Sequence, residues 1–312
     1  MSDWRNKAIL VRLSLGAWSG NAGQRKCRAL AAEMEQQHGT QRNKLKADAE
    51  LLSREDRMTV QGIVSKARAY YYAHTVPWDD RGWRMLPAKL FMEFKETMAS
   101  FADDLEAAVQ RSILDRYEEL REKARRGLNG LADAVPFPSY EKLKAKYRWQ
   151  LGLEQLPRPE DLRVECLADY QMEELRAQMK ERQDKQLQAA VAKMVEEIRK
   201  LLANLVEQIS KRNEARTGDE RRTPLHDSLI ENLREVCRIM PTLNVGDDPF
   251  LANLIHKVDS ELTSYDADSL RHSWGLRDQL KDKASSILSE LANYAPNVEN
   301  EEVDCDAATT AA

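Results

Sequence analysis

LQAAVAKMVEEIRKLLANLVEQI, residues 187–209, is the stretch whose reading decides the fold. Leu187, Val191, Met194, Ile198, Leu201 and Leu205 follow one another in steps of four and three, the spacing of a coiled-coil seam. Val195, Leu202, Val206 and Ile209 widen that seam on one side, and a seam so wide buries against more than one partner. No Gly or Pro interrupts the chain between Pro159 and Gly218, so a long helix is the first expectation.

Working outward, Leu90, Phe94, Met98, Phe101, Leu105, Val109, Ile113 and Tyr117 continue the helical spacing from Pro87 to about Arg126, where Gly127 and Gly130 stop it. This second long helix is expected to lie antiparallel to the first. Further helices are read over Gln24 to Gln37, Arg42 to Leu52, and from Ser53 to about Tyr72, where Ser53 and Asp56 have capping-box spacing. A short basic helix is read from Ser139 to Gln150. Beyond the main helix, Leu225 to Met240, Pro249 to Leu262 and Ala267 to Tyr294 complete the set.

Two segments break the helical period. Ile9, Val11, Leu13 and Leu15 alternate with Leu10, Arg12 and Ser14, as do Leu162, Val164 and Cys166 with Arg163 and Glu165. A lone strand leaves its backbone groups unpaired, so the two are expected to pair with each other. The fold class read from the sequence is therefore mainly α: an elongated helical bundle with long antiparallel helices and a minor two-stranded β element. A polar linker around Thr217-Gly218-Asp219 suggests division into a helical scaffold over residues 1–212, a C-terminal helical part over 213–296, and an acidic disordered tail over 297–312.

Charge excludes a globally basic nucleic-acid binder, since 48 basic residues face 52 acidic ones. Locally the balance shifts: Arg5 to Lys46 carries nine Lys or Arg against Glu33 and Glu35, while Asn297 to Ala312 holds five acids and no base. Cys27, Cys166, Cys237 and Cys305 form no Cys-x-x-Cys pair, which indicates neither a zinc site nor a disulfide framework and fits a reducing cytoplasm. No signal-peptide pattern opens the chain, and no apolar run approaches the roughly 18 residues of a membrane span. The expected location is cytoplasmic.

Two segments could bind a partner. The loop Trp78-Asp79-Asp80-Arg81-Gly82-Trp83-Arg84 gathers indoles, carboxylates and guanidiniums that could grip a partner's charged segment or stack unpaired bases. It also reads as a structural loop, its tryptophans plugging the core while an Asp caps a turn and pairs with Arg84. In the second segment, Lys142, Lys144, Lys146, Tyr147, Arg148 and Trp149 interleave base and aromatic, and on a helix Lys142, Lys146 and Trp149 share a face suited to phosphate contact and stacking. The bland alternative is an amphipathic helix burying Leu143 and Tyr147. Arg25, Lys26 and Arg28 with Arg42, Lys44 and Lys46 form a weaker basic patch.

Glu35 and His38 have the Glu-x-x-His spacing of di-iron bundles but lack the second copy such a site needs. Residues 16–23 lack the Gly-Lys-Ser/Thr end of a phosphate loop, and no nucleophile elbow is present. The residues point to no catalytic group, cofactor or metal.

Leu13-Ser14-Leu15-Gly16-Ala17-Trp18-Ser19-Gly20, Thr75-Val76-Pro77-Trp78-Asp79-Asp80-Arg81-Gly82-Trp83-Arg84-Met85-Leu86-Pro87, Asp161-Leu162-Arg163-Val164 and the closing Leu270-Arg271 helix together resemble a mostly helical bacteriophage and prophage family of unknown function. That family is often encoded near MoxR-type AAA+ ATPases and von Willebrand A domain proteins. The resemblance covers the chain to about Tyr294, rests on fold-level patterns and carries over no functional residue. It implies a non-enzymatic, phage-encoded accessory protein, a partner or adaptor of an ATPase module. Single-stranded nucleic-acid binding is the alternative expectation.

Overall fold

In the computed structural model, residues 4–22, 24–41, 44, 49–79, 81–214 and 228–292 are described. The strands are β1 (Ala8–Gly16), β2 (Asn21–Ala22), β3 (Ala49–Glu50), β4 (Val76–Pro77), β5 (Arg84–Pro87) and β6 (Arg148–Gln155). The helices are α1 (Gln24–Gln37), α2 (Arg54–Ala73), α3 (Phe91–Val109), α4 (Tyr117–Leu128), α5 (Tyr140–Lys144), α6 (Asp169–Glu214), α7 (Ser228–Leu243), α8 (Pro249–Leu262), α9 (Ala267–His272) and α10 (Trp274–Ala292). The fold is mainly α, with one four-stranded sheet of order β4-β5-β1-β6 and the two-stranded pair β2-β3.

The chain forms two compact units. One comprises residues 1–10, 76–89 and 155–312, and the other comprises 11–75 and 90–154. The border expected near residue 212 therefore falls inside the first unit. Its cause is the width of the α6 seam: Val195, Ile198, Leu202, Leu205 and Ile209 are buried together with Ile230 and Leu233 of α7, Leu251 and Val258 of α8, and Leu280 and Ala284 of α10. Leu201 and Val206 lie on the flanks of this stripe, partly buried against the same core. The C-terminal helices are thus the other half of one hydrophobic core rather than a separate part.

Local signals explain several boundaries. Ser53 Oγ accepts a hydrogen bond from the Asp56 amide at 3.1 Å to start α2, and Asp248 does the same for the Leu251 amide at 2.8 Å with Pro249 in the first turn of α8. The helix expected from Ala267 to Tyr294 is broken at Ser273, which is extended and whose Oγ accepts from the Leu276 amide at 3.3 Å. Buried Arg277 clamps that break through the Leu270 carbonyl at 2.7 Å and Asn213 Oδ1 at 2.8 Å. Residues 293 and 294 lie outside the described residues.

The second unit has its own core of Leu52, Val60, Val64, Leu105, Ile113, Tyr117, Leu120 and Leu143. The expected Pro87 to Arg126 helix begins with a 3-10 turn at Ala88–Leu90 and carries a π turn at Gln110–Leu114, where the Asp115 amide donates to the Gln110 carbonyl at 2.9 Å. In the expected Arg42 to Leu52 helix, Ala49–Glu50 is strand β3 instead, paired Asn21↔Glu50 and Ala22↔Ala49; residues 42, 43 and 45–48 lie outside the described residues.

The strand pairing read from the sequence is corrected. β1 neighbours β5 and β6, whereas 162–167 forms no strand. A 3-10 turn at Pro159–Asp161 precedes that segment, and Cys166 bends it with φ of 68°. The Leu162 carbonyl is met by the Arg176 guanidinium at 3.3 Å, so a side chain of α6 supplies the hydrogen bond a neighbouring strand would have given.

Candidate functional site

The Trp78–Arg84 segment is the tip of a β4-β5 hairpin with register Val76↔Met85 and Pro77↔Arg84. Asp79 organises the tip: its Oδ1 accepts from the Arg81 and Trp83 amides, each at 3.0 Å, as Asx turns do. Trp78 and Trp83 are partly buried against the first unit's core. Trp78 meets Trp4 with ring centroids 5.9 Å apart, and the Arg5 guanidinium lies 4.7 Å from the Trp4 ring centre. Arg5 is itself buried, donating to Gln183 Oε1 at 2.6 Å and pairing with Asp184 at 3.0 Å. Arg81 is exposed and Arg84 half-buried, while Asp80 lies outside the described residues.

The basic segment departs from its expected helix. Ser139 caps α5 through the Lys142 amide at 3.4 Å, but the helix ends at Lys144, a turn follows, and β6 begins at Arg148. Lys142, Lys146 and Trp149 therefore share no helix face. Leu143 is fully buried in the second unit's core, with Tyr147 and Trp149 packed beside it. Burial raises the Tyr147 phenol above its ordinary pKa, and its hydroxyl finds no partner among the described residues. Lys142, Lys144, Lys146 and Arg148 remain exposed.

What the fold brings to this segment is the turn after β1. Gly16 approaches so closely that a Cβ there would lie 3.0 Å from the Lys146 carbonyl and 3.3 Å from Arg148 Nε. Two residues on, Trp18 presents its ring to Lys146, whose Nζ lies 5.0 Å from the ring centre, a cation–π distance. Trp18, Ser19, Phe137, Ser139, Lys142 and Lys146 line one cleft of about 630 Å³. The Pro138 carbonyl, in the same wall, accepts the Tyr117 hydroxyl, whose pKa is raised chiefly by burial. In the sequence Trp18 stands out only within the Leu13–Gly20 stretch that carries the family resemblance, and no local pattern ties it to Lys146, more than a hundred residues away.

A second cleft, of about 690 Å³, runs along Glu50–Asp56 and α4. Its charges are mixed: Arg116 pairs with Asp56 at 3.5 Å, and Glu50 pairs with Arg57 at 2.5 Å. Among the described residues no group of three His, Cys, Asp or Glu side chains is placed to hold a metal ion. Glu35 is buried in α1 whereas His38 is exposed beyond its end. In the weaker basic patch Arg28 and Lys44 are exposed, and residues 42 and 46 lie outside the described residues. Cys27 and Cys237 are buried free thiols and Cys166 an exposed one; burial, with the nearby Asp259 carboxylate, pushes Cys237 up to about 11. No described helix is long and apolar enough to cross a membrane. The chain matches no family model, no curated protein and no solved structure.

Proposed function

We propose that the chain is a non-enzymatic interaction protein, a phage-encoded accessory that serves an ATPase module of the MoxR type. The observation that carries the interaction reading is the unequal burial of α6. From Ala190 to Ile209 one face of the helix is enclosed by α7, α8 and α10, whereas from Asp169 to Arg182 no residue is buried. Those first turns carry Tyr170, 70% exposed, and Leu175, 38% exposed, with Val164, 46% exposed, just ahead of them. Apolar side chains held in water on a preformed helix suit a protein partner, because binding there loses little backbone entropy.

The test is co-purification of the chain with a MoxR-type ATPase and with a von Willebrand A domain protein of the same genome, with and without nuclease. A nuclease-resistant complex that Tyr170→Ser with Leu175→Ser abolishes, while the far-ultraviolet spectrum is unchanged, is the expected result. Failure to bind either protein, or binding indifferent to both substitutions, overturns the reading.

A further inference from the structure

The Trp18 cleft carries a second binding function, independent of the α6 reading. We infer that it is a site for single-stranded nucleic acid, in which a base stacks on Trp18 while Lys146 and Lys142 take the neighbouring phosphates.

Three observations combine. Trp18 is partly buried against the second unit's core, so the indole is fixed while its remaining surface faces the cleft and the Lys146 ammonium. Among the described residues the Lys146 ammonium makes no ion pair with a carboxylate; it rests on the Trp18 ring, a weak tie at an exposed site. An incoming base can therefore displace the ammonium at small expense, and the displaced cation is already beside the phosphate that follows the base. Lys142 lines the same cleft, and Arg148 lies against Gly16, two residues before Trp18. Glu141 is the acid within the segment, and it is exposed on α5.

Two lysines lining one cleft with an aromatic platform fit a strand, whose phosphates repeat, better than a free nucleotide. A duplex hides its base faces and could not use Trp18. The walls are also stiff: Pro136 and Pro138 frame the cleft, and Tyr117 holds the Pro138 carbonyl. A site that keeps its shape when empty loses little on binding.

The experiment is fluorescence anisotropy of a labelled oligothymidylate of about 15 nucleotides with the full chain, against rising salt. Binding that weakens steeply with salt is expected. Trp18→Ala should lower affinity roughly tenfold or more, Trp18→Phe should retain most of it, and Lys142→Gln with Lys146→Gln should reduce the salt slope by about 1.4. Circular dichroism melts check each variant, and the lysine pair, being exposed, keeps the test open should Trp18→Ala unfold. Absence of binding at low salt, or affinity unchanged in Trp18→Ala, overturns the proposal. Thymidine monophosphate binding as tightly as the oligonucleotide overturns the strand reading in favour of a nucleotide site. Oligoglutamate competing equally well, with Trp18→Phe and Trp18→Ala indistinguishable, makes it an acidic-peptide site instead.

Discussion

The Trp4–Trp78–Trp83 group and the Trp18–Lys146 pair look alike in composition and differ in what holds the cation. In the first, the guanidinium over Trp4 is buried and tied to Gln183 and Asp184, and Trp78 and Trp83 rest on the core. In the second, an exposed ammonium covers an indole at the mouth of a cleft, and no carboxylate among the described residues holds it. A cation with several partners is structural. One whose partner is a ring alone is exchangeable, and only exchangeable contacts make room for a ligand.

Truncating a tryptophan in each group tests the contrast most strongly. Trp78→Ala should cost about 2–3 kcal/mol in urea unfolding, because it opens space against the core beside Trp4. Oligonucleotide affinity should stay within experimental error in that variant, and a loss there would erase the distinction between the two groups. Arg5→Ala should cost about 2 kcal/mol, since it strands buried Gln183 and removes the ion pair to Asp184. Lys146→Ala, its counterpart, should alter unfolding by less than about 0.5 kcal/mol, and a larger drop would mean that this cation too is structural.

Tyr147→Phe gives the smallest effect and separates packing from hydroxyl chemistry. The Tyr147 hydroxyl is buried without a partner among the described residues, so its removal should leave stability at pH 7 unchanged or raise it by about 0.5–1 kcal/mol. Because burial raises the phenol above its ordinary pKa of about 10, the folded form favours the neutral ring, and wild-type stability falls as pH climbs past that value and the unfolded chain ionises first. The decline between pH 10 and 11 should be shallower in the variant, as followed by denaturant midpoints across that range.

Helical period and caps were legible where one side chain or one stripe decides the outcome. Gln24–Gln37 and Pro249–Leu262 coincide with the helices read from sequence, and the Ser53 and Asp56 pairing appears as a cap. β6 was missed although Trp149, Leu151 and Leu153 alternate with polar or small residues, because the basic residues before it share a plausible helical spacing. The choice was made by Gly16, whose close approach to Lys146 and Arg148 fixes that backbone beside β1 and cannot be seen from either segment alone. The same holds for the cleft: Lys142 and Lys146 were visible as cations, but the ring that gives them a ligand chemistry lies at the far end of another strand.

The π turn at Gln110–Leu114 gives the second unit room for one change in chain length. Such a turn holds one residue more than an α turn, so the helix before it and the helix after it keep the phase of an uninterrupted helix. Leu105, Val109, Ile113, Tyr117 and Leu120 are all buried in one core, although their steps of four, four, four and three would drift off a single face of regular helix. Deleting one residue within the turn would relax it to regular helix and leave Tyr117 and Leu120 on the core face, with the Tyr117 hydroxyl still directed at the Pro138 carbonyl. Deleting one residue in the middle of α2, which has no such turn to absorb it, would instead rotate everything beyond by about 100°. The first deletion should therefore be much the milder of the two in urea unfolding.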